Sequence, residues 1–384
     1  LASFRKRGKK WEYRISFVDR RTGKSKESSK GGFATKKEAQ LAAIEAERQI
    51  HHYGFAENGD ELIKDYVLEW LETYKKPFLK PMTYSVQERV VRLNIIPRWG
   101  NYRLKEITRK EYQQWINELR EHYSEGTTRR IHSIMNTALN DAVYEYNILR
   151  ENPAQKIKIP KETKQNKELK FFSREELDKF LKEVKKPVKN AKYQHSIQYY
   201  VLFFLMSHTG IRIGEALALT WGDIDLDKKT LKVNKTLVYP LNSKPNISTP
   251  KTKSSIREIK LDDETVYWLK KHKTNRKEVV LMYENYKAPK NNIVFFQHEG
   301  RWLRTNVVRE YFKEVCKRAK LPVLSPHALR HSHAVHLLEA EANIKYVSER
   351  LGHTSIKMTA DTYLHVTKKI EDDALVRYQR YINK

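Results

Sequence analysis

Cysteine occurs once in the 384 residues, as Cys316. One thiol excludes an internal disulfide framework and any zinc or iron–sulfur site built from several thiolates, and it suits a reducing compartment. Long apolar runs are missing too. The longest candidate, around Tyr199–Met206, falls far short of the roughly 18–20 residues that span a bilayer, so no membrane partner is expected. The first ten residues are basic with no apolar stretch among them, which reads as the absence of a secretory leader and predicts a cytoplasmic protein. No Gly-rich loop ending in Gly-Lys-Ser/Thr offers a phosphate cradle, so ATP use has no support. No paired acidic motif announces two-metal chemistry. Neither a repeat nor a low-complexity tract interrupts the chain.

Positive charge is what the sequence has in excess. Lysine and arginine number 75 against 47 acidic residues, a net charge of +28, which argues against a purely small-molecule enzyme and for a polyanionic partner. With 39% hydrophobic and 32% charged residues the chain still belongs to the globular class. Its length suits two to four domains.

Residues 1–55 read as a miniature domain. Trp11 to Phe17 alternate large apolar and polar side chains, the period of a half-buried strand. Asp19 to Gly23 supply a turn, and Lys24 to Lys30 return as a polar strand. Thr35 is a predicted N-cap with Glu38 at the capping-box position, opening a helix to Ile50. A small three-stranded sheet backed by one helix is the expected result. Between Phe4 and Arg48 the unit carries fourteen basic and six acidic residues, about twice the charge density of the chain. Arg5, Lys6, Arg7, Lys9, Lys10 and Arg14 are the candidate DNA contacts, with the sheet face as groove reader; a merely solubilising surface is the other reading of the same charge.

Residues 60–155 have a helical texture. Leu62, Tyr66, Trp70 and Tyr74 recur every four residues and should share one helix face. Thr83 to Ile96 form a second helix stopped by Pro97. Thr108, with Glu111 three residues on, caps a third whose buried stripe is Tyr112, Trp115, Ile116 and Leu119. Thr127 to Tyr146 complete a fourth, and Asn152-Pro153 ends the domain. These aromatics read as core rather than as a base-stacking surface. Residues 156–172 form a lysine-rich linker without apolar periodicity, expected to be extended. Residues 173–384 form a mixed, mainly helical domain that Ser173 and Glu176 open as cap and box. Its strand material falls in Asp223–Asp227, Thr230–Tyr239 and Ser254–Leu261.

Four segments of this last domain carry functional side chains in order: Thr209-Gly210-Ile211-Arg212-Ile213-Gly214-Glu215; Thr249-Pro250-Lys251-Thr252-Lys253; Pro326-His327-Ala328-Leu329-Arg330-His331; and Leu351-Gly352-His353 followed by Tyr363-Leu364-His365. Together they resemble the tyrosine recombinases, in particular the integrases of phages and conjugative transposons, and the resemblance covers essentially the whole chain. It implies a multidomain α+β protein with an arm-binding domain, an all-helical core-binding domain and a catalytic domain. It further implies that Arg212 and Arg330 clamp a scissile phosphate with their rigid donor forks, and that His327 and His353 hydrogen-bond the same phosphate, with His327 also able to assist proton transfer. Lys251 would protonate the departing 5′ oxygen, Lys253 being the close competitor, and Tyr363 would be the nucleophile that forms a 3′-phosphotyrosine. Glu215 would support the arginine side of the site. A metal reading of His327, His331, His333 and His336, some one helical turn apart, lacks a His-Glu-x-x-His pattern to support it.

The expected function is therefore that of a site-specific integrase of a mobile element, acting through a Holliday junction with no metal, nucleotide or other cofactor. Expected partners are duplex DNA bearing core and arm sites, three further copies of the chain in a tetramer on DNA, an excisionase or directionality factor, and a host DNA-bending protein. The location is a bacterial cytoplasm, at the nucleoid when DNA is bound. Ile370 to Tyr381 are a predicted helix that packs onto a neighbouring subunit. A resolvase of replicon dimers and a non-catalytic DNA-architectural protein are the alternative readings.

Overall fold

The computed structural model describes residues 2–18, 25–53, 59–161, 169–186, 196–239, 244–250, 252–282, 289, 291–297, 300–363, 378–379 and 381–383. The chain divides into two compact units, Leu1–Gln165 and Asn166–Lys384.

The first unit begins with strands β1 (Ser3–Arg7), β2 (Lys10–Val18) and β3 (Ser25–Phe33), an antiparallel sheet in the order β1-β2-β3. Helix α1 (Lys36–Tyr53) packs on one side of it. The alternation read in β2 sets the faces: Tyr13 and Ile15 are buried with Ala43 of α1, and Phe4 and Phe33 pack against them. Directly opposed residues of an antiparallel pair share a face. The pairs Arg5↔Glu12, Arg7↔Lys10 and Ser3↔Arg14 therefore lie on the helix-free face, whereas Lys6 pairs with Trp11 on the other side. The Thr35 hydroxyl does cap α1 by accepting from the Glu38 N–H, but the Glu38 carboxylate accepts from the N–H of Ala34 instead of Thr35.

The rest of this unit is helical: α2 (Ile63–Trp70), α3 (Pro81–Val90), α4 (Ile96–Trp99), α5 (Arg109–His122) and α6 (Glu125–Tyr144). The four-residue stripe expected from Leu62 holds only in part. A π-helical turn, Leu71–Lys75, follows α2 and rotates the inward face by one residue, so Leu71 is buried while Tyr74 is only partly so. A second π turn, Val91–Ile95, joins α3 to α4 and carries the helix past Pro97. There the proline stands at the start of a new segment, where its missing N–H costs no bond. The aromatics are core, as their spacing suggests: Tyr66, Trp70, Trp99, Tyr112 and Trp115 are buried. The Tyr66 hydroxyl donates to the Ala138 carbonyl at 2.6 Å and Trp70 Nε1 to Asp141 Oδ2 at 2.6 Å, whereas Trp99 Nε1 is buried with no hydrogen-bond partner among the described residues. The first residues of the lysine-rich linker are not free of apolar contact. Ile157 and Ile159 pack on the helical core, and Gln113 and Arg120 of α5 donate to the carbonyls of Lys158 and Pro160.

In the second unit, α7 (Arg174–Lys185) carries the Ser173–Glu176 capping box, and α8 (Ser196–Thr209) is buried all along Tyr199–Met206. Such a helix is the centre of its core. Next come α9 (Ile213–Ala218), β4 (Ile224–Asp225), β5 (Thr230–Val233), β6 (Thr236–Val238), β7 (Asn246–Ser248) and β8 (Arg257–Lys260). The single strand expected over Thr230–Tyr239 is two. β5 joins a β4-β5-β8 sheet, and β6 pairs with β7 in a separate hairpin. The remainder is α10 (Asp263–Met282), α11 (Thr305–Arg318), α12 (His327–Glu339), α13 (Ile344–Leu351) and α14 (Ile356–Tyr363). Most of the segment expected as a C-terminal helix, including Leu375, lies outside the described residues. Among the described residues no helix is long and apolar enough to cross a membrane.

Candidate active site

Three chain breaks in regular structure aim side chains at one place beside α8. After α8 the chain turns through Gly210 at φ +67°, which leads Arg212 to the N-terminus of α9. Pro326 starts α12, putting His327 in the first turn and Arg330 and His331 one turn on. α13 ends at Gly352, φ +68°, where the left-handed conformation lets the His353 N–H bond to the Ser348 carbonyl. That helix end both positions His353 and leaves the Leu351 carbonyl pointing at Arg330.

Arg330 is 2% exposed. Its Nη1 donates to the Gly210 carbonyl at 2.8 Å and its Nη2 to the Leu351 carbonyl at 2.7 Å. The two glycine-defined turns thus hold one guanidinium, with three of its five N–H groups left over for another acceptor. Burial, then the neighbouring Arg212, draws its pKa down to about 9. Arg212 is partly exposed, and its Nη1 donates to Glu215 Oε1 at 2.8 Å. Glu215 is buried; its other oxygen accepts from the Arg212 backbone N–H and from Nη2 of Arg257, each at 3.0 Å. Burial alone would raise this carboxyl, but Arg257 and Arg212 hold it below the usual range.

His327 stands at the open mouth of the site and His353 is partly buried, with its Nδ1 2.7 Å from the Thr359 hydroxyl. Desolvation, followed by surrounding cations that include Arg330 and Arg212, brings both imidazoles down to about 4. Both are neutral at pH 7. Three guanidiniums around one carboxylate leave net positive charge, and an anion is the species that such a site completes. Tyr363, at the end of α14, is 1% exposed and packs with Ala334, Val335, Val347 and Leu351. Its hydroxyl lies 3.0 Å from Nδ1 of His331. Burial pushes the phenol up to about 12, against a pull downward from Arg330 and Arg212.

The structure thus brings Arg212, Glu215, His327, Arg330, His353 and Tyr363 together. Lys251 lies outside the described residues. Lys253 opens a 3₁₀ turn, Lys253–Ser255, whose Ser254 carbonyl comes within 3.0 Å of where a Cβ on Gly352 would stand. The six N-terminal cations do not form one set: Arg5, Arg7, Lys10 and Arg14 share the helix-free face, Lys6 is on the opposite face, and Lys9 is in the β1–β2 turn. Three of the four histidines of α12 have separate protein partners: His331 meets Tyr363, His333 the Ser207 carbonyl, and His336 the Phe172 carbonyl. Among the described residues no three potential ligands gather.

Sequence reasoning missed Arg257 and Arg350. Arg257 is in phase with the buried Ile259 of β8, so an arginine on the inward phase of a strand was the available signal. Arg350 donates to His333 Nε2 at 3.0 Å and to the His208 carbonyl at 3.0 Å, tying α13 to the end of α8. His331 enters the sequence reading only as a candidate metal ligand, yet its i+4 spacing from His327 sets it on the same helix face.

Gly210 has little freedom to change. A Cβ there would lie 2.7 Å from Leu351 Cδ2 and 2.8 Å from His333 Cδ2. Gly210→Ala is expected to cost about 2–4 kcal/mol in urea unfolding, from left-handed strain and overpacking together. It should also slow any reaction that needs Arg330 held by the Gly210 carbonyl.

The description "Phage integrase family" matches residues 170–369, "Arm DNA-binding domain" residues 3–50, and "Phage integrase, N-terminal SAM-like domain" residues 62–120. The chain is 31% identical to a tyrosine recombinase XerC-like protein of Caldanaerobacter subterraneus subsp. tengcongensis, over 89% of this chain and 88% of the relative. It is 30% identical to the ICEBs1 integrase of Bacillus subtilis, over 75% of this chain and 74% of that one. Among solved structures, the Tn1549 transposon integrase in complex with a circular intermediate DNA superposes with a TM-score of 0.66 at 20% identity, over 83% of this chain and 99% of that one. A lambda integrase dimer bound to a core site gives 0.58 at 17% identity, over 94% and 93%; at these identities the likeness is one of fold.

Proposed function

The chain belongs to the phage integrase family of tyrosine recombinases, which cut and rejoin DNA at specific sites through a phosphotyrosine and a Holliday junction, and we propose that Arg212, Lys251, His327, Arg330, His353 and Tyr363 perform that chemistry here. The observation that carries the assignment is the convergence of an immobilised guanidinium, a second arginine, two neutral imidazoles and a buried phenol on one cationic site. Arg330 and Arg212 hold the non-bridging oxygens and stabilise the charge that grows on them in the pentavalent transition state. His327 and His353, as neutral rings, donate hydrogen bonds to the same phosphate. Tyr363 attacks phosphorus, and the bond energy is kept in the phosphotyrosine ester for rejoining, so no nucleotide is consumed. Lys251, or Lys253 in its place, gives a proton to the 5′ oxygen as it leaves. Glu215 orders Arg212 and Arg257 without touching DNA.

The domains are read as 1–55 for arm sites, 60–155 for the core site, 156–172 as linker and 173–384 for catalysis. In the first of these, the helix-free face with Arg5, Arg7, Lys10 and Arg14 is the DNA reader, and Lys6 and Lys9 reach flanking phosphates. The match of residues 3–50 to an arm DNA-binding domain supports an integrase over a resolvase, which has no need of arm sites. The protein acts in a bacterial cytoplasm on nucleoid DNA, as a tetramer linked by the segment after Tyr363, with an excisionase and a host bending protein setting direction.

The test is covalent capture on a nicked suicide substrate carrying the element's own core site, followed by digestion and mass mapping of the adduct. DNA on the Tyr363 peptide is the expected result. An adduct on another residue overturns the assignment, and no adduct despite tight core binding favours the architectural reading.

A further inference from the structure

A phenol is a poor nucleophile until it loses its proton, and His327, the histidine for which the resemblance implies help with proton transfer, is assigned above to the phosphate. At a pKa of about 12, the phenolate fraction at pH 7 is on the order of 10⁻⁵. The structure supplies a group at the right atom. His331 stands one turn after His327 on α12, with the two rings edge to face and their centroids 4.6 Å apart. Its Nδ1 is 3.0 Å from the Tyr363 hydroxyl oxygen, inside the reach a general base needs. Burial, then Arg330, lowers the pKa of this imidazole below its usual value. The ring is therefore neutral near pH 7, and in the Nε2–H tautomer Nδ1 offers a lone pair to the phenol hydrogen.

We propose that His331 is the general base that takes the proton of Tyr363 as its oxygen attacks the phosphate. The O–H proton passes to Nδ1, the bond from the tyrosine oxygen to phosphorus forms, and the bond from phosphorus to the 5′ oxygen breaks. That oxygen takes its proton from the lysine acid. On rejoining, the 5′ hydroxyl passes its proton back to the lysine amine as it attacks phosphorus, the bond from phosphorus to the tyrosine oxygen breaks, and the His331 imidazolium returns its proton to the departing phenolate, so proton and electron counts close over the cycle. His327 lies in the first turn at the open mouth, beside Arg330 and Arg212 in charge, a position suited to the phosphate; His331 is the histidine on the nucleophile. The inference rests on Tyr363 being that nucleophile.

Single-turnover adduct formation on the suicide substrate tests it, with His331→Ala, His331→Gln and Tyr363→Phe beside the wild-type chain and core-DNA affinity measured for each. Both His331 variants are expected to bind DNA as the wild type does and to form adduct about 10²–10⁴-fold more slowly. The same deficit should persist on a substrate whose bridging 5′ oxygen is sulfur, because a thiolate leaves without an acid and its use relieves only a defect at the leaving group. His331→Gln at the wild-type rate would overturn the proposal, since glutamine accepts a hydrogen bond but takes no proton. Restoration by the sulfur substrate would also overturn it, by moving His331 to the leaving-group side. Failure of the underlying assignment looks different: Tyr363→Phe would still form adduct.

Discussion

Tyr363→Phe is expected to lose covalent DNA capture altogether while core-DNA affinity and fold are kept. The phenol oxygen is the only atom removed, and when a covalent enzyme loses its nucleophile the rate falls by on the order of 10⁶. Packing should survive, because the ring sits among Ala334, Val335, Val347 and Leu351 and phenylalanine fills the same space. One hydrogen bond, to His331, is lost, which costs about 1 kcal/mol. Urea unfolding and a gel-shift titration would therefore report a near-native protein, and the denaturing gel would show no adduct. A variant that unfolds early would mean that the hydroxyl holds α14 in place. A variant that still captures DNA would send the search to another nucleophile.

Much of this site was legible before any fold was known, because its residues are bound to short local geometries. Gly210 and Gly352 mark the two left-handed turns, and Arg212, His327, Arg330 and His353 each stand at or within a turn of a helix end that the flanking residues announce. The capping boxes at Thr108 and Ser173 were equally local and are both present. What stayed hidden depends on distance in sequence. Arg257 meets Glu215 across 42 residues, and Arg350 meets His208 across 142; no periodicity encodes such a pairing. His331 was hidden for another reason, since one spacing serves both a metal pair and a base beside a phenol, and only the location of Tyr363 decides between them. The π turns at Leu71–Lys75 and Val91–Ile95 show the same limit within helices. An extra residue per turn is set by tertiary packing, so a stripe read at four-residue spacing drifts off the core at Tyr74.

The buried charges around Glu215 predict the largest stability effect. Its side chain is 5% exposed and that of Arg257 is 7% exposed, so Glu215→Gln leaves a guanidinium with no counter-charge in a place where water cannot replace it. Breaking such a pair from one side costs about 3–5 kcal/mol, measurable as a lower urea midpoint. Activity should fall as well, since Arg212 loses the carboxylate that orients it. The pH dependence separates this from ordinary packing loss. Glu215 has a folded pKa below its unfolded value of 4.5, so its contribution is fully present above pH 4.5 and disappears as pH falls through the lower folded value. Three histidines act in a higher window. His327 and His353, at about 4, and His333, at about 3, are depressed from 6.5, and their contributions fade as pH drops below 6.5. In Glu215→Gln the histidine limb should remain and the limb below pH 4.5 should flatten. The double variant Glu215→Gln, Arg257→Met removes the stranded charge along with its partner and should recover part of the stability. It should not recover cleavage, because Arg212 is still without its carboxylate. If the double variant were no more stable than Glu215→Gln alone, the cost would lie in lost packing around residue 215 and the charge argument would fall.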